Sequence, residues 1–467
     1  MTPTAIHAAY LLASILFIVG LKRLSSPRTA RNGNLTASLG MLIAIVVTLL
    51  DRQILSYPLI FAALVLGSGV GAVAARRVAM TDMPQMVALF NGSGGGAAAL
   101  VSTLELFHIF RTEPLIPVDA GVSIVLGALI GAVSFSGSIV AWAKLQGVIG
   151  ERATTYPGQK ALNLLLLVVI LVLAVLVVSN QAGFGTFLIF LVACLLLGVL
   201  AVLPIGGGDM PVVISLLNSF TGLATAATGF ALHNVVLIIS GTLVGASGTL
   251  LTVLMCKAMN RPITNVLFGA FGGGPAAQAA AGGRSADLAG QSVREATAED
   301  VATMMGYGQS VIVVPGYGLA VAQAQHMVRE LADLLKKRGV AVRYAIHPVA
   351  GRMPGHMNVL LAEANVPYEE LYDLDQINPE FERADVALVV GANDVVNPAA
   401  RTDPASPIYG MPILDADKAK HIVILKRSMK PGFAGIENEL FYDPKAMMLF
   451  GDAKDSISKL VAAVKAL

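Results

Sequence analysis

The chain has 467 residues, of which 55% are hydrophobic and only 13% are charged. Soluble domains carry roughly 25% charged residues, so this composition excludes an ordinary soluble protein and predicts a large membrane part. The formal net charge of +2 does not indicate a partner, and no nucleic acid is expected. Residues 1–261 hold 13 of the 32 Lys and Arg and 7 of the 30 Asp and Glu. We therefore predict a membrane domain over 1–261 and a soluble domain over 297–467.

About nine apolar segments in the first part predict membrane-spanning helices, which need roughly 20 residues each. They lie near Ala5–Leu21, Leu35–Leu50, Leu59–Ala75, Met83–Phe107, Val118–Val140, Ala161–Val178, Phe184–Val202, Met210–Leu232 and Val235–Met255. Eleven of the 13 basic residues fall in alternate connections, and only Arg52 and Arg111 fall in the others. By the positive-inside rule, the N-terminus is expected outside the cell and the C-terminal domain in the cytoplasm.

Few polar residues interrupt these spans. Asn91, Asn163 and Asn218 lie inside spans, and Asp209 lies at the start of one. Polar and ionisable groups at membrane depth are functional candidates, although an interfacial position for Asp209 is an equal alternative. The many glycines, such as the Gly94–Gly96 run, favour close helix packing. No histidine lies at the middle of a predicted span.

Residues 262–296 are predicted to be a flexible tether, because Gly272–Gly283 is a low-complexity stretch that cannot form a core. The pattern that follows is typical of an α/β doubly wound, Rossmann-like domain. The predicted strands are Val311–Val314, Val340–Ile346, Val386–Val390, Ile422–Leu425 and Met447–Phe450, and the predicted helices are Gly318–Arg338, His356–Ala364 and Ala453–Ala466.

The stretch around Gly316 and Gly318 resembles a dinucleotide fingerprint, because a buried strand precedes it and a helical pattern follows it. The glycines permit a tight turn and would let backbone N–H groups approach a pyrophosphate. Val321 occupies the place of the third glycine.

The ends of the predicted strands indicate which nucleotide binds. NAD sites place Asp or Glu after the second strand, where this chain continues from Ile346 to His347 without an acid. The missing carboxylate favours NADP, and Lys426, Arg427 and Ser428 would suit its extra phosphate. A solvated basic turn is the alternative for that triplet, and a simple turn or helix cap is the alternative for Asp394.

Longer motifs resemble the β subunit of proton-translocating NAD(P) transhydrogenase over essentially the whole chain. They are Met210-Pro-Val-Val213, Pro315-Gly-Tyr-Gly318, His347-Pro-Val-Ala-Gly-Arg-Met-Pro-Gly-His-Met-Asn358, Gly391-Ala-Asn-Asp394, Lys426-Arg-Ser428 and Leu449-Phe-Gly-Asp-Ala-Lys454. The resemblance implies a multi-pass protein of the bacterial inner membrane that binds NADP(H) and couples hydride transfer to proton movement. It also implies a partner α subunit that carries NAD(H), in an α2β2-type assembly. Hydride would pass directly between the two nicotinamides, with no catalytic residue and no metal.

The fingerprint and the resemblance together predict the NADP(H) contacts. They are Gly316, Tyr317, Gly318, Val349, Ala350, Gly351, Arg352, Met353, Pro354, Gly391, Ala392, Asn393, Asp394, Val395, Gly410, Met411, Lys426, Arg427, Ser428, Met429, Lys430, Pro431, Gly432, Phe433, Asp452 and Ala453. The family usually has tyrosine at the position of Phe433, so one hydroxyl hydrogen bond is lost here.

Proton coupling is assigned to Asn91, Asp209 and Asn218, which are polar residues in or beside the predicted spans. Many relatives carry a proton-carrying histidine at the position of Asn91, and asparagine cannot titrate. A histidine on the α subunit is favoured as the carrier, because imidazole titrates near neutrality. A water chain past Asn91 and Asn218, or a proton held near Asp209, are the alternatives.

Two other classes of protein compete with this interpretation. A channel or transporter gated by a cytoplasmic NADP sensor would need a filter at membrane depth, whereas Gly316-Tyr-Gly318 lies in the soluble fingerprint. A membrane-anchored NADP dehydrogenase would need only one span as its anchor. It would also need a set of acid and base residues for catalysis, and the sequence does not offer such a set.

Overall fold

The computed structural model describes residues 3–50, 57–150, 154–260, 262–263 and 292–467. Most of the predicted tether, including Gly272–Gly283, lies outside these residues. The described residues form two compact units. The first unit contains the described residues of Met1–Gly207 and Val213–Thr252. The second unit contains those of Gly208–Val212, Val253–Val266 and Gly273–Leu467.

Within the described residues, nine helices are long and apolar enough to span a membrane, which confirms the predicted number. The spans are α1 Pro3–Leu24, α2 Pro27–Leu49, α3 Tyr57–Arg77, α4 Met83–Thr112, α5 Val118–Leu145, α6 Gln159–Val178, α7 Phe184–Val202, α8 Met210–Ala231 and α9 Val235–Ala258. Basic residues such as Arg76 and Arg77 occupy the last turn of some of these helices, where the macrodipole favours positive charge.

Glycines allow the membrane helices to approach closely. A Cβ atom built on Gly131 of α5 would lie 2.6 Å from the carbonyl oxygen of Gly95 on α4. Between α8 and α9, a Cβ on Gly222 would lie 2.4 Å from the backbone nitrogen of Gly245. Any side chain at these positions would force the helices apart, so the glycines serve helix packing.

After the spans, the described residues form one six-stranded parallel sheet in the order β3-β2-β1-β4-β5-β6. The strands are β1 Ser310–Pro315, β2 Ala341–Ile346, β3 Leu371–Asp373, β4 Val386–Val390, β5 His421–Lys426 and β6 Ala446–Phe450. The helices are α10 Ala298–Tyr307, α11 Tyr317–Val321, α12 Gln325–Lys337, α13 His356–Glu363, α14 Leu374–Ile377, α15 Ala399–Thr402 and α16 Ala453–Ala466. This strand order is that of dinucleotide-binding doubly wound folds, so the predicted fold class is confirmed.

The sequence predicted five of the six strands and missed β3. That strand has only three residues and lies at the sheet edge beside β2, so it lacks the long apolar run that marks a central strand. By contrast, β4 lies between β1 and β5 in the sheet, and every one of its residues is buried.

The predicted helix Gly318–Arg338 is wrong as a single element. The chain forms α11, then turns through Gln323, which has a left-handed φ of 50°, and begins α12 at Gln325. The apolar spacing continues across this break, which explains why the sequence pattern did not reveal it.

Candidate nucleotide site and membrane polar cluster

The fingerprint turn packs against the end of the neighbouring strand β4. The N–H of Gly316 donates to the carbonyl oxygen of Val390 (2.9 Å), and that of Gly318 donates to the carbonyl oxygen of Gly391 (2.9 Å). A Cβ on Gly316 would lie 2.3 Å from the Cα of Ala392. Only glycine permits this approach. Because these N–H groups already donate to the last residue of β4 and to Gly391 just after it, the geometry does not support their predicted approach to a pyrophosphate.

Gly391 needs to be glycine for two reasons. Its φ of 65° is left-handed, and a Cβ on it would lie 2.4 Å from the Cα of Gly318. The ends of β1 and β4 therefore fit together as one rigid unit at the carboxyl edge of the sheet.

The loop after β2 is held by two histidines, neither of which was predicted as a site residue. His347 is buried, and its Nε2 lies 2.7 Å from the carbonyl oxygen of Pro412, while its Nδ1 accepts from the N–H of Val349 (3.3 Å). Burial lowers the pKa of His347 to about 4, opposed by the bond to Pro412, so the ring is neutral at pH 7 and donates from Nε2. His356 Nδ1 accepts from the N–H of Arg352 (3.0 Å).

Two aromatic rings and one guanidinium group lie together over this loop. The guanidinium carbon of Arg352 lies 4.5 Å from the ring centroid of Tyr317 and 5.9 Å from that of Phe433. The two rings are 5.9 Å apart, and Phe433 is half exposed. Cation–π attraction favours this arrangement. Three residues predicted from separate motifs are thus brought together.

Asp394 joins the end of β4 to the loop after β5. Its Oδ2 accepts from the N–H of Ala434 (3.0 Å), and a Cβ on Gly432 would lie 2.6 Å from its Oδ1. Its Oδ1 is buried, and no described residue hydrogen-bonds to it. Burial raises the pKa of Asp394, opposed by the Ala434 N–H, the charge of Lys426 and the Phe433 N–H. Because the carboxylate accepts from a residue 40 positions away in the sequence, Asp394 is more than a local turn residue.

The three residues of the basic triplet at the end of β5 differ in solvent exposure. Lys426 is half-buried, donates from Nζ to the carbonyl oxygen of Lys430 and lies 4.7 Å from the ring centroid of Phe441. Burial lowers the pKa of Lys426, opposed by the charge of Asp394. Arg427 and Ser428 are exposed. Lys426 therefore holds its own loop, while Arg427 is accessible to a ligand.

The remaining predicted contacts lie in two loops. Gly410 has a left-handed φ of 75°, and Met411 is buried against Ala400, Ile408 and Ile413. Asp452 caps α16, where its Oδ1 accepts from the N–H of Lys454 (3.0 Å).

Most of the predicted nucleotide contacts follow the ends of β1, β2, β4, β5 and β6. Since these strands are parallel, all five ends lie at one edge of the sheet, where ligands bind in such folds. Contact with NADP(H) itself stays a prediction for every one of these residues.

In the membrane unit, Asn91 belongs to a buried polar cluster on three helices. Its Nδ2 donates to Ser138 Oγ on α5 (2.9 Å), and Thr221 Oγ1 on α8 donates to its backbone carbonyl oxygen (3.4 Å). Ser134 and Thr221 hydrogen-bond through their hydroxyl oxygens (2.7 Å). Asn91 Oδ1 is buried, and within the described part of the chain it has no hydrogen-bond partner. Sequence reasoning missed the hydroxyl groups, although Asn218, Thr221, Thr225 and Thr228 recur at helical spacing.

The other two proton-coupling candidates do not share this burial. Asn218 is exposed on α8, in the membrane unit. Asp209 ends the 3-10 turn Gly207–Asp209 immediately before α8, which places it at the end of a span, as expected.

Within the part of the chain that the structure describes, nine spans are followed by a doubly wound sheet whose carboxyl edge carries glycines, cations and a buried carboxylate oxygen. This arrangement defines a multi-pass membrane protein with a dinucleotide-binding domain. The family model described as NAD(P) transhydrogenase beta subunit matches residues 6–463. The chain is 51% identical over 468 residues to the NAD(P) transhydrogenase subunit beta of Rhodospirillum rubrum, covering 99% of this chain and 100% of that protein. A second sequence of the same name, from a defined strain of that organism, matches equally well.

The chain therefore belongs to the NAD(P) transhydrogenase beta subunit family, and the resemblance carried by its motifs is confirmed. It is a subunit of a membrane enzyme, which sets aside the gated channel and the anchored dehydrogenase. The name of its relatives also implies an alpha subunit as partner.

Proposed function

We propose that the C-terminal domain binds NADP(H) at the carboxyl edge of its sheet, and that NAD(H) is bound by the partner α subunit. The observation that carries this proposal is the end of β2. It leads into a buried neutral His347, whereas an NAD site places there a carboxylate for the ribose hydroxyl. A carboxylate would repel the 2′-phosphate of NADP, while the exposed Arg427 after β5 can bind that phosphate through charge-assisted hydrogen bonds.

The residues of the site fit a nicotinamide nucleotide in a second respect. Asp394 Oδ1 is buried without a partner among the described residues, which is costly unless a donor reaches it. The amide or ribose hydroxyl groups of the nucleotide can supply that donor. The rings of Tyr317 and Phe433 lie beside each other and beside the Arg352 guanidinium, where they can cover a bound nucleotide and exclude water.

The reaction needs little chemistry from this chain. Hydride passes directly from one nicotinamide to the other, so we assign no catalytic residue and no metal to this chain. Its residues bind and orient NADP(H), and the loops after β2 and β5 shield it from solvent.

We further propose that proton movement through the membrane domain drives the reaction. Asn91 cannot titrate, so it orients a proton carrier rather than holding the proton. A histidine of the α subunit is the favoured carrier, with Asn218, exposed on α8, and Asp209 as further participants. One charge moving through about 150 mV contributes near 3.5 kcal/mol, which can shift the NADPH ratio by a few hundredfold.

This proposal includes the location and assembly of the protein. The chain lies in the bacterial inner membrane with its N-terminus outside, as the distribution of basic residues favours. The membrane domain covers residues 1–261, the tether 262–296 and the cytoplasmic NADP(H) domain 297–467. Two copies combine with α subunits in an α2β2-type assembly.

The cofactor is tested by calorimetry on residues 292–467, which hold one entire core cluster and should therefore fold separately. We expect much tighter binding of NADPH than of NADH. Arg427→Ala should weaken NADPH selectively by about tenfold or more, because a charge-assisted hydrogen bond contributes about 1.5–3 kcal/mol. Arg338→Ala is the matched control, since Arg338 is exposed and precedes β2 at the other edge of the sheet. Equal affinity for the two nucleotides would end this assignment.

The shared active site has its own test. The purified subunit alone should not transfer hydride from NADH to NADP⁺, and the NAD-binding domain of the partner should restore turnover. Full activity of this chain by itself would contradict direct transfer between two subunits.

A further inference from the structure

One side chain joins the end of the last membrane helix to a predicted NADP(H)-binding loop. The Nδ2 of Asn260 donates to the carbonyl oxygen of Tyr409 (2.9 Å), immediately before Gly410. Asn260 lies two residues beyond the end of α9, and residues 253–260 belong to the same compact unit as the sheet.

The backbone at both ends of this hydrogen bond is specialised. Asn260 has a left-handed φ of 49°, which terminates α9 in a conformation that glycine and asparagine adopt most easily. Gly410 has a left-handed φ of 75°, and a Cβ on it would lie 2.2 Å from Asn260 Nδ2. The loop thus has no side chain where the amide approaches it. Glycine would terminate the helix as well as asparagine does, so the amide of Asn260 serves the bond to Tyr409.

The loop that Asn260 contacts is linked to the rest of the nucleotide site. Met411 is buried, and the carbonyl oxygen of Pro412 accepts from His347 at the start of the loop after β2. Val349, on that second loop, packs against a buried apolar cluster formed by Val212, Met255 and Cys256, as do Met259 and Ile263. The end of α9 therefore contacts both loops, one through a hydrogen bond and the other through apolar packing.

We propose that Asn260 is a positioning residue for NADP(H), which transmits the position of the α9 end to Gly410 and Met411. This inference rests on the proposed function, because it takes Gly410 and Met411 as nucleotide contacts. Movement of the α9 end relative to the sheet would pull directly on the Tyr409 carbonyl and change the affinity for NADP(H). A change of charge in the membrane domain that moves the end of α9 would therefore alter the affinity for NADP(H) through this hydrogen bond.

The first experiment measures NADPH affinity by nucleotide fluorescence in the full-length chain purified with its partner subunit. Asn260→Gly keeps the left-handed backbone and removes only the amide. We expect it to weaken NADPH binding about three- to fivefold and to leave the KM for NADH unchanged. Asn365→Gly is the matched control. Asn365 also has a left-handed φ (57°) after a helix, but it is exposed and makes no side-chain hydrogen bond in the described structure.

A second variant separates the hydrogen bond from a general structural effect. In Asn260→Asp, an ionised carboxylate faces the Tyr409 carbonyl oxygen and cannot donate, whereas the protonated acid can. The loss of NADPH affinity relative to wild type should be about tenfold at pH 8 and should shrink as the pH is lowered toward 5. A merely structural role would not produce this pH dependence.

Two results would overturn the inference. They are wild-type NADPH affinity in Asn260→Gly, and a ratio of Asn260→Asp to wild-type affinity that does not change with pH. If the wild-type complex itself failed to bind NADPH, the proposed function would be wrong instead, so the two failures are distinguishable.

Discussion

The close fit between the ends of β1 and β4 predicts that Gly391→Ala will damage the soluble domain far more than its size suggests. The added methyl group meets backbone atoms, the Cα of Gly318 at 2.4 Å and the backbone nitrogen of Leu319 at 2.7 Å, and neither can rotate away. The residue would also keep a left-handed φ of 65°. Both penalties fall on the turn that carries the fingerprint.

A control inside the same domain separates these two penalties. Gly339 also has a left-handed φ (86°), but a Cβ built on it has no heavy atom within 4 Å. Gly339→Ala should therefore cost only the left-handed strain, about 1–2 kcal/mol of unfolding free energy. Gly391→Ala adds overpacking of about 1–3 kcal/mol, for a total of about 2–5 kcal/mol. Replacing glycine by alanine also lowers the conformational entropy of the unfolded chain, which stabilises the fold. This effect is common to both variants and cancels when their unfolding free energies are compared.

Urea unfolding of residues 292–467 measures the difference, and calorimetry with NADPH measures the effect on the site. We expect a midpoint clearly lower for Gly391→Ala than for Gly339→Ala, and weaker NADPH binding only in the former. Equal destabilisation of the two variants would refute the reasoning. It would mean that the strand ends move apart easily and that glycine is needed there only for its dihedral angles.

Two further predictions concern titration and the membrane. Because the folded-state pKa of His347 is about 4, below its usual 6.5, the unfolded chain binds more protons between these values. Stability should therefore fall by roughly 3 kcal/mol as the pH drops from about 6.5 to 4. His347→Gln should flatten that part of a pH series of urea unfolding curves, and an unchanged slope would contradict the assignment. Asn91→Leu removes the bond to Ser138 and should depress proton pumping in vesicles. Pumping at the wild-type rate and turnover would show that Asn91 only packs.

The sequence alone determined the nine spans found in the described ranges and most of the sheet. Apolar runs near 20 residues have few stable alternatives to a spanning helix, because every backbone polar group in lipid must be satisfied internally. Central strands such as β4 are buried on both faces and must therefore be continuously apolar. The motifs determined the family, because the loops at the carboxyl ends of parallel strands carry the ligand contacts.

The tertiary structure decided which contacts form between segments that are distant in the chain. The break at Gln323, the three-residue strand β3 and the use of Gly316 and Gly318 as donors to the end of β4 and the residue just after it have no distinct local pattern. The same holds for the bond from Asp394 to Ala434, 40 residues apart, and for that from Asn260 to Tyr409, 149 residues apart. Local propensity and hydrophobic period report whether a residue is buried and in which kind of element. The backbone group that a buried carboxylate or amide reaches depends on how the loops fold over the sheet, and that is set by the packing of the whole domain.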